Sequence, residues 1–306
     1  MQDEDRTTAI ASAIVVASGV LWGIYWLPIR EIEAAGLPGA WGTLAAVAAA
    51  AAALAPFAIL RRRALARTNR WGLFYVALGG ASFVLYSVGF IYGRVAIIIL
   101  LFYLTPVWSV LIGRYVLGWR STAARTAAIG LGLVGLVVML GADGQTPLPR
   151  NVGEWLALAA GLLWSIASTG IRLKSDLDVV VTSFVFALGG CAGALIVAIG
   201  LASLAAPSLA THAATAAPAL APLPAIAWSL VAGLGWWGAN TAMLLWATAR
   251  LEPAKVGILL MSEVVVGALS GAFIAGEALS ALEWGGGVLV LGAALLEIRG
   301  GRRKPA

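Results

Sequence analysis

The sequence predicts an all-α polytopic membrane protein with ten transmembrane helices, arranged as two inverted five-helix repeats around a central cavity. Three observations predict this fold: an apolar composition, ten apolar segments separated by basic residues, and a weak repeat between the halves. The chain is 61% hydrophobic and 11% charged, whereas soluble domains carry roughly 25% charged residues. Because so few charges cannot cover the surface of a soluble protein, we expect lipid to surround the chain.

Ten apolar segments have about the length needed to cross the hydrocarbon core, which takes about 20 helical residues. The predicted spans are residues 10–30, 40–60, 71–92, 95–117, 123–142, 153–172, 179–204, 225–248, 254–275 and 283–298. The first span follows an acidic N-terminus, so we expect a retained helix and not a cleaved signal peptide. Residues 205–224, which include His212, are predicted as an outer loop, with a short surface helix as the alternative.

The basic residues orient these spans. With a cytoplasmic N-terminus, 17 of the 20 Lys and Arg residues fall on the cytoplasmic side, and only Arg30, Arg94 and Arg150 fall on the other. This asymmetry is typical of membrane proteins, whose cytoplasmic loops are rich in Lys and Arg. Both termini are therefore predicted to be cytoplasmic. Six tryptophans at span ends are expected to anchor the helices in the headgroup layer: Trp41, Trp71, Trp119, Trp155, Trp228 and Trp284.

An internal repeat relates the two halves. It is carried by two pairs of segments, residues 19–30 with 161–172 and residues 101–119 with 259–277. The first pair shares six of twelve positions, including Trp22 with Trp164 and Arg30 with Arg172. Repeats are predicted over residues 1–148 and 149–306. Five helices is an odd number, so equivalent helices cross the membrane in opposite directions, as in transporters that work by alternating access. A duplicated channel without alternating access is the alternative.

Two motifs in the repeated segments indicate a family. The fourth span carries LTPVWSVLIGRYVLG and the ninth carries MSEVVVGALSGAFIAGE. Both resemble the EamA-type branch of the drug/metabolite transporter superfamily, which has a Pro-Val or Glu-Pro-Val element, then small residues and a terminal Gly-Glu. Pro106 and Glu263 keep parts of the first element, and Gly276-Glu277 keeps the ending, whereas Gly118-Trp119 departs from it.

Within that branch, the chain most resembles YddG-type exporters of aromatic amino acids. The resemblance implies a basket of helices around a cavity formed mainly by helices 1, 3, 4, 6, 8 and 9. It implies a transporter of the bacterial inner membrane that exports small neutral solutes, most favourably aromatic or other neutral amino acids. A carrier of anionic metabolites or of drug-like amphiphiles is the alternative. Nearly every Lys and Arg belongs to a loop or helix end, which favours a substrate without net charge.

Polar and aromatic residues inside the spans are candidates for the cavity wall. An amino acid needs acceptors for its ammonium, donors for its carboxylate and an apolar wall, and aromatic faces attract ammonium groups. The predicted substrate-binding residues are Trp22, Tyr86, Tyr103, Trp164, Ser168, Trp237 and Asn240. For any one of them, packing between helices is the alternative, because Ser and Thr bond their own backbone and Trp fills gaps.

Glu263 and Pro106 are candidates for coupling and gating. Glu263 lies near the middle of an apolar span, where a charge costs about 2.5–3.5 kcal/mol on insertion scales, so it should be neutral, paired or facing water. It is predicted to exchange a proton or to hold the substrate ammonium, with a neutral structural role as the alternative. Pro106 removes a helical hydrogen bond and should kink the fourth helix, which would suit a hinge.

Other functions find little support in the residues. With one His and one Cys, Cys191, neither a metal site nor a nucleophile with its base can be assembled, so no catalytic residues, metal or cofactor are expected. No phosphate-binding loop of the G-x-x-x-x-G-K-[ST] type occurs. The expected partners are a small-molecule substrate and the bilayer, and no nucleic acid. A monomer is one interpretation of the oligomeric state.

Overall fold

The chain is helical throughout the part that can be described. The computed structural model describes residues 2–118, 123–142, 144, 146–174, 178–205, 221–248, 250–251 and 253–300. Every regular element among these residues is a helix. The predicted anchor Trp119 and most of the predicted outer loop, with His212, lie outside the described residues.

The helices follow one another closely along the chain. In order they are α1 (Gln2–Gly23), α2 (Trp26–Ala34), α3 (Ala40–Leu60), α4 (Arg62–Arg67), α5 (Arg70–Tyr92), α6 (Val95–Phe102), α7 (Thr105–Tyr115), α8 (Ala123–Leu140), α9 (Val152–Lys174), α10 (Val179–Ala205), α11 (Leu223–Leu230), a π-helical segment (Val231–Asn240), α12 (Thr241–Thr248), α13 (Pro253–Leu260), α14 (Ser262–Phe273) and α15 (Ala281–Gly300).

Each predicted span coincides with one helix or with consecutive helices. Among the described residues, seven stretches are long and apolar enough to cross a bilayer: Arg6–Ala34, Ala40–Leu60, Arg70–Tyr92, Val95–Tyr115, Val152–Leu173, Val179–Ser203 and Lys255–Phe273. Two shorter apolar helices cover Thr126–Leu140 and Ala281–Leu296. The chain is therefore a multi-pass membrane protein, and a total of ten crossings stays a prediction. Three of the predicted anchors, Trp71, Trp155 and Trp284, are exposed.

The first span contains an interruption that the sequence analysis did not anticipate. α1 ends at Gly23 and α2 begins at Trp26. Pro28 explains the break, because proline has no N–H to donate to the carbonyl of Ile24 one turn earlier. The amide of Ile24 instead bonds to the carbonyl of Leu21 at 3.2 Å, which tightens the last turn of α1.

The fourth and ninth spans are interrupted at matching places. α6 and α7 are separated by Tyr103 and Leu104, and α13 and α14 by Met261. Each pair of helices is followed by a glycine in the left-handed region, Gly118 at φ 67° and Gly276 at φ 69°. A side chain disfavours that conformation, so glycine is needed to end both spans in this way.

The described helices form two compact units. The first unit comprises Met1–Ile24, Tyr92–Ile166 and Trp246–Ala306. Within it, α1 packs along α14 and α8 packs along α15. The α8–α15 contact is close because Gly135 and Gly286 oppose each other, and a Cβ on Gly286 would lie 2.6 Å from the carbonyl oxygen of Gly135. Small residues of this kind let helix backbones approach in membranes.

The second unit comprises Tyr25–Ile91 and Ala167–Leu245. α3 packs along α10 and along the π-helical segment. A Cβ on Gly193 would lie 2.8 Å from the Cα of Ala81, so α5 and α10 also touch through small residues. The compact units do not follow chain order, whereas the predicted repeats 1–148 and 149–306 do. Those repeats concern internal similarity and stay a prediction.

Candidate functional site

A buried carboxylate lies in the middle of an apolar span of the first unit. Glu263 is the second residue of α14 and the ninth of the 19 residues of the span Lys255–Phe273. It is 7% exposed. Its position in the first turn of α14 places it at the positive end of the helix dipole, which favours negative charge. The interruption of the helix therefore creates a polar environment for this carboxylate.

Tyr103 provides the phenol that faces Glu263. Its hydroxyl oxygen lies 3.1 Å from Oε2 of Glu263 and 2.8 Å from the carbonyl oxygen of Leu260, the last residue of α13. Tyr103 itself occupies the interruption between α6 and α7. The interruptions of two spans thus meet through one side chain. The structure brings together two residues, Tyr103 and Glu263, that the sequence analysis selected separately.

Pro106 accounts for the interruption of the fourth span. It lies in the first turn of α7, where a proline needs no helical partner. In a continuous helix its nitrogen would donate to the carbonyl of Phe102, and proline cannot. The hydroxyl of Thr105 donates to that carbonyl instead, at 2.6 Å. The predicted break of the fourth helix is present, and its role as a hinge stays a prediction.

Two glycines of α1 allow the backbone to approach Glu263. A Cβ on Gly23 would lie 2.8 Å from the carbonyl oxygen of Glu263 and 2.8 Å from the Cβ of Val266. A Cβ on Gly19 would lie 3.2 Å from the amide nitrogen of Glu263 and would collide with the hydroxyl of Ser262. Any larger residue at either position would displace α1 from α14.

The predicted residues Trp22 on α1 and Trp164 on α9 belong to the first unit. Trp22 is 3% exposed and lies beside Gly23 on α1. On α9, Trp164 is half-buried, and the hydroxyl oxygen of its neighbour Ser165 lies 2.8 Å from the carbonyl oxygen of Gly161 and 2.9 Å from that of Thr105. Ser165 thereby connects α9 to the first residue of α7.

The second unit holds a buried chain of polar groups. The indole N–H of Trp237 donates to the hydroxyl of Tyr25 at 2.6 Å. The Tyr25 hydroxyl lies 3.0 Å from that of Ser87, which lies 3.2 Å from that of Thr43. All four side chains are buried. Because its N–H is bonded to Tyr25, Trp237 has no free donor, and its ring lies 5.7 Å from that of Phe186 between centroids.

The other predicted residues of the second unit differ in their surroundings. Tyr86 is fully buried and packs edge-to-face with Phe90 at 4.6 Å between centroids. Ser168 is half-buried on the last part of α9. Asn240 ends the π-helical segment and is 1% exposed, and neither atom of its amide has a hydrogen-bond partner among the described residues. A buried amide in that state is unusual, since buried polar groups are nearly always bonded.

Sequence reasoning missed the residues that complete both clusters. Tyr25, Ser87 and Thr43 were not selected, and Leu260 contributes a backbone carbonyl that no side-chain pattern reveals. Pro28 was the available signal for Tyr25, because Pro28 lacks the N–H that a continuous helix would use one turn earlier, next to Tyr25. Among the described residues, no group of three His, Cys, Asp or Glu side chains is placed to hold a metal ion.

The first part of the chain is similar to a known family. Residues 9–141 match the EamA-like transporter family. The EamA-like region contains Trp22, Tyr86, Tyr103 and Pro106, and ends before Trp164, Ser168, Trp237, Asn240 and Glu263. That family is one of membrane transporters, which agrees with the apolar helices.

One solved structure, titled "Crystal structure of protein", is similar to the whole chain. The two are 21% identical with a TM-score of 0.60, over 96% of this chain and 99% of the other. A likeness at this identity shows the fold alone, and with 96% of the chain covered it extends beyond the EamA-like region. No curated protein matches the chain.

Proposed function

We propose that this chain is a cell inner-membrane transporter that exports small neutral solutes by alternating access. The most favoured solutes are amino acids with aromatic or other neutral side chains. The EamA-like match over residues 9–141 supports transport of small solutes. The observation that carries the proposal further is the buried contact between Glu263 and Tyr103 at the interruptions of two spans.

The paired interruptions support an inverted repeat. α6 with α7 and α13 with α14 each consist of two short helices followed by a left-handed glycine. Broken helices near the bilayer midplane are the usual binding elements of transporters built from inverted repeats, because their free backbone groups and helix ends can contact a solute. On this proposal both termini are cytoplasmic.

The chemistry of the two units supports a neutral solute. The carboxylate of Glu263 can accept a hydrogen bond from the ammonium of an amino acid, and the phenol of Tyr103 can donate one to its carboxylate. Trp22 and Trp164 add aromatic surface for its side chain. In the second unit, the proposed contacts are Tyr86, Ser168, Trp237 and Asn240. Arg94, a basic residue in the first unit, is paired with Glu283 and lies at a helix start, so it adds no unpaired cation for an anionic solute.

Counterflow in proteoliposomes tests the proposal. Vesicles containing the protein are loaded with one unlabelled solute, and uptake of its radiolabelled form is measured for Phe, Thr, Met and a phosphorylated sugar. Overshooting uptake of Phe or another neutral amino acid is expected, with none in vesicles without protein. Exchange of the phosphorylated sugar alone would contradict a neutral substrate, and exchange of no solute in the panel would contradict amino-acid transport.

A further inference from the structure

The hydroxyl of Tyr103 has one proton and two acceptors. Its oxygen lies 2.8 Å from the carbonyl oxygen of Leu260 and 3.1 Å from Oε2 of Glu263. A phenol carries a single O–H, so it donates to one acceptor at a time. The contact to which the phenol does not donate is a hydrogen bond only if Leu260 or Glu263 donates a proton to the phenol oxygen. A carbonyl has none to supply, whereas Glu263 has one when it is neutral.

The Leu260 carbonyl depends on this phenol because the helix is broken beside it. In a continuous helix the amide of Val264 would donate to Leu260. That amide bonds instead to the carbonyl of Met261, at 3.1 Å. The Tyr103 hydroxyl occupies the place of the missing donor. Inside a bilayer, where water does not replace a lost partner, such a carbonyl strongly favours the arrangement that keeps it bonded.

We infer that Tyr103 transmits the protonation state of Glu263 to the interruption between α13 and α14. When Glu263 is neutral, its O–H donates to the phenol oxygen, and the phenol proton stays on the Leu260 carbonyl. When Glu263 is ionised, the phenol turns its proton to the carboxylate, because a bond to a charged acceptor is stronger. The Leu260 carbonyl then loses its donor and the interruption loosens. The bearing of this switch on transport rests on the proposed function.

Tyr103 is a titratable neighbour of Glu263, with its hydroxyl oxygen 3.1 Å from Oε2 of Glu263. The helices packed on α14 are α1, α6 and α13. α1 faces Glu263 with Gly19 and Gly23, and α6 places Ile99 against Gly267 one turn later. The charged side chains described on these three helices are Arg6 and Lys255. Lys255 is the nearer along the chain and lies eight residues before Glu263, about 12 Å along a helix at 1.5 Å per residue.

Infrared difference spectroscopy of the full chain in lipid nanodiscs tests the contact. A pH step is expected to produce a carboxylic C=O band that disappears in Glu263→Gln. In Tyr103→Phe the band should move to higher wavenumber, because the acid O–H has lost its acceptor. Tyr115→Phe is the matched control, since Tyr115 ends α7 and is 74% exposed, and it should leave the band in place. Absence of a band removed by Glu263→Gln, or an unmoved band in Tyr103→Phe, would overturn the inference.

Hydrogen exchange tests the consequence for the backbone. Peptides covering residues 255–268 are followed by mass spectrometry over the same pH range, with the intrinsic pH dependence of exchange divided out. The wild type should exchange faster in this segment once Glu263 is ionised, and Tyr103→Phe should exchange at one fast rate in both states. An equal pH dependence in the two proteins would contradict transmission through Tyr103.

A further variant, Glu263→Asp, is used in case Tyr103→Phe does not fold. Glu263→Asp replaces Tyr103→Phe if the latter does not remain monodisperse. Asp is one methylene shorter, which moves the carboxyl away from the Tyr103 hydroxyl, so the C=O band should also move to higher wavenumber. An unmoved band in Glu263→Asp would equally overturn the inference. None of these readouts requires transport. A shifted band without counterflow would refute the proposed function and leave the switch intact. Counterflow with an unmoved band would refute the switch alone.

Discussion

At the scale of single residues, several polar groups of the first unit lie where helices break. Glu263 begins α14, Tyr103 separates α6 from α7, and Thr105 bonds the carbonyl that Pro106 leaves without a donor. A helix without breaks would use all its backbone groups internally and expose none to a solute or a proton. The breaks therefore determine where an apolar protein can do polar chemistry.

Replacing Glu263 by Gln should alter transport and its pH dependence. Gln keeps the size and a hydrogen-bonding head but cannot exchange a proton, so uptake should slow by tenfold or more and lose its variation with pH. The measurement is counterflow between pH 5.5 and 8.5. Glu31→Gln serves as the control, because Glu31 is exposed on α2 and should behave as wild type. An unchanged rate and pH profile in Glu263→Gln would show that Glu263 has a structural role.

The sequence reveals some of these residues and hides others for physical reasons. Glu263 is conspicuous because a carboxylate within an apolar span is costly. Tyr25 is not, since tyrosines near span ends usually anchor the interface, and only its bonds to Trp237 and Ser87 show a buried role. The carbonyl of Leu260 carries no signal, because backbone groups become available only once the helix is known to break.

At the scale of helices, small residues decide which helices touch. In the first unit, a Cβ on Gly135 of α8 would lie 2.8 Å from the carbonyl oxygen of Gly286 on α15. Gly130, five residues earlier on the same helix, has open space around it. Both positions are glycines among apolar residues of α8, and only the structure shows that one contacts α15 and the other does not.

Gly135→Leu should destabilise the first unit, whereas Gly130→Leu should not. A side chain at position 135 has to displace the α15 backbone, and overpacking of this kind costs about 1–3 kcal/mol. At position 130 the helix gains propensity over glycine, by up to about 1 kcal/mol. Thermal unfolding in detergent, followed by the loss of monodisperse protein, measures both. Equal midpoints for the two variants would contradict the described contact between α8 and α15.

Pro106→Ala should restore a hydrogen bond at the interruption of the fourth span. Alanine supplies a backbone N–H that can replace the Thr105 hydroxyl as donor to the Phe102 carbonyl, so α6 and α7 should approach one continuous helix. We expect slower hydrogen exchange over residues 102–108 and a severalfold slower counterflow. Pro56→Ala is the matched control, because Pro56 lies inside α3 without interrupting it. Transport at the wild-type rate together with slower exchange would remove Pro106 as a hinge.

Helix positions could be predicted from apolar length, but helix continuity could not. Pro106 marks one interruption and predicted the kink of the fourth helix. The interruption at Met261 has no proline after it, and Ser262, whose hydroxyl donates to the Leu259 carbonyl at 2.9 Å, is the local feature that accompanies it. The π-helical segment contains Gly233, Gly235 and Gly238, which weaken the α-helix without specifying an alternative. Such features depend on neighbouring helices, which local patterns do not describe.

At the scale of the whole molecule, the central claim is that the two halves are folded alike and inserted in opposite directions. The match of residues 19–30 with 161–172 and the similar interruptions of the fourth and ninth spans support it. The chain shares its fold with a solved structure over 96% of its length, at a TM-score of 0.60. Alternating access by exchange of the two halves requires this opposition.

The sidedness of two positions near the ends of matched spans tests that claim most directly. Ala34 and Arg172 are exposed near the ends of the first and sixth predicted spans, which the repeat makes equivalent. Each is replaced by cysteine in a Cys191→Ser background and labelled on intact cells and on inverted vesicles with a maleimide that cannot cross membranes. We predict labelling of Ala34→Cys only from outside and of Arg172→Cys only from the cytoplasmic side. Labelling of both cysteines from the same side would contradict an inverted repeat.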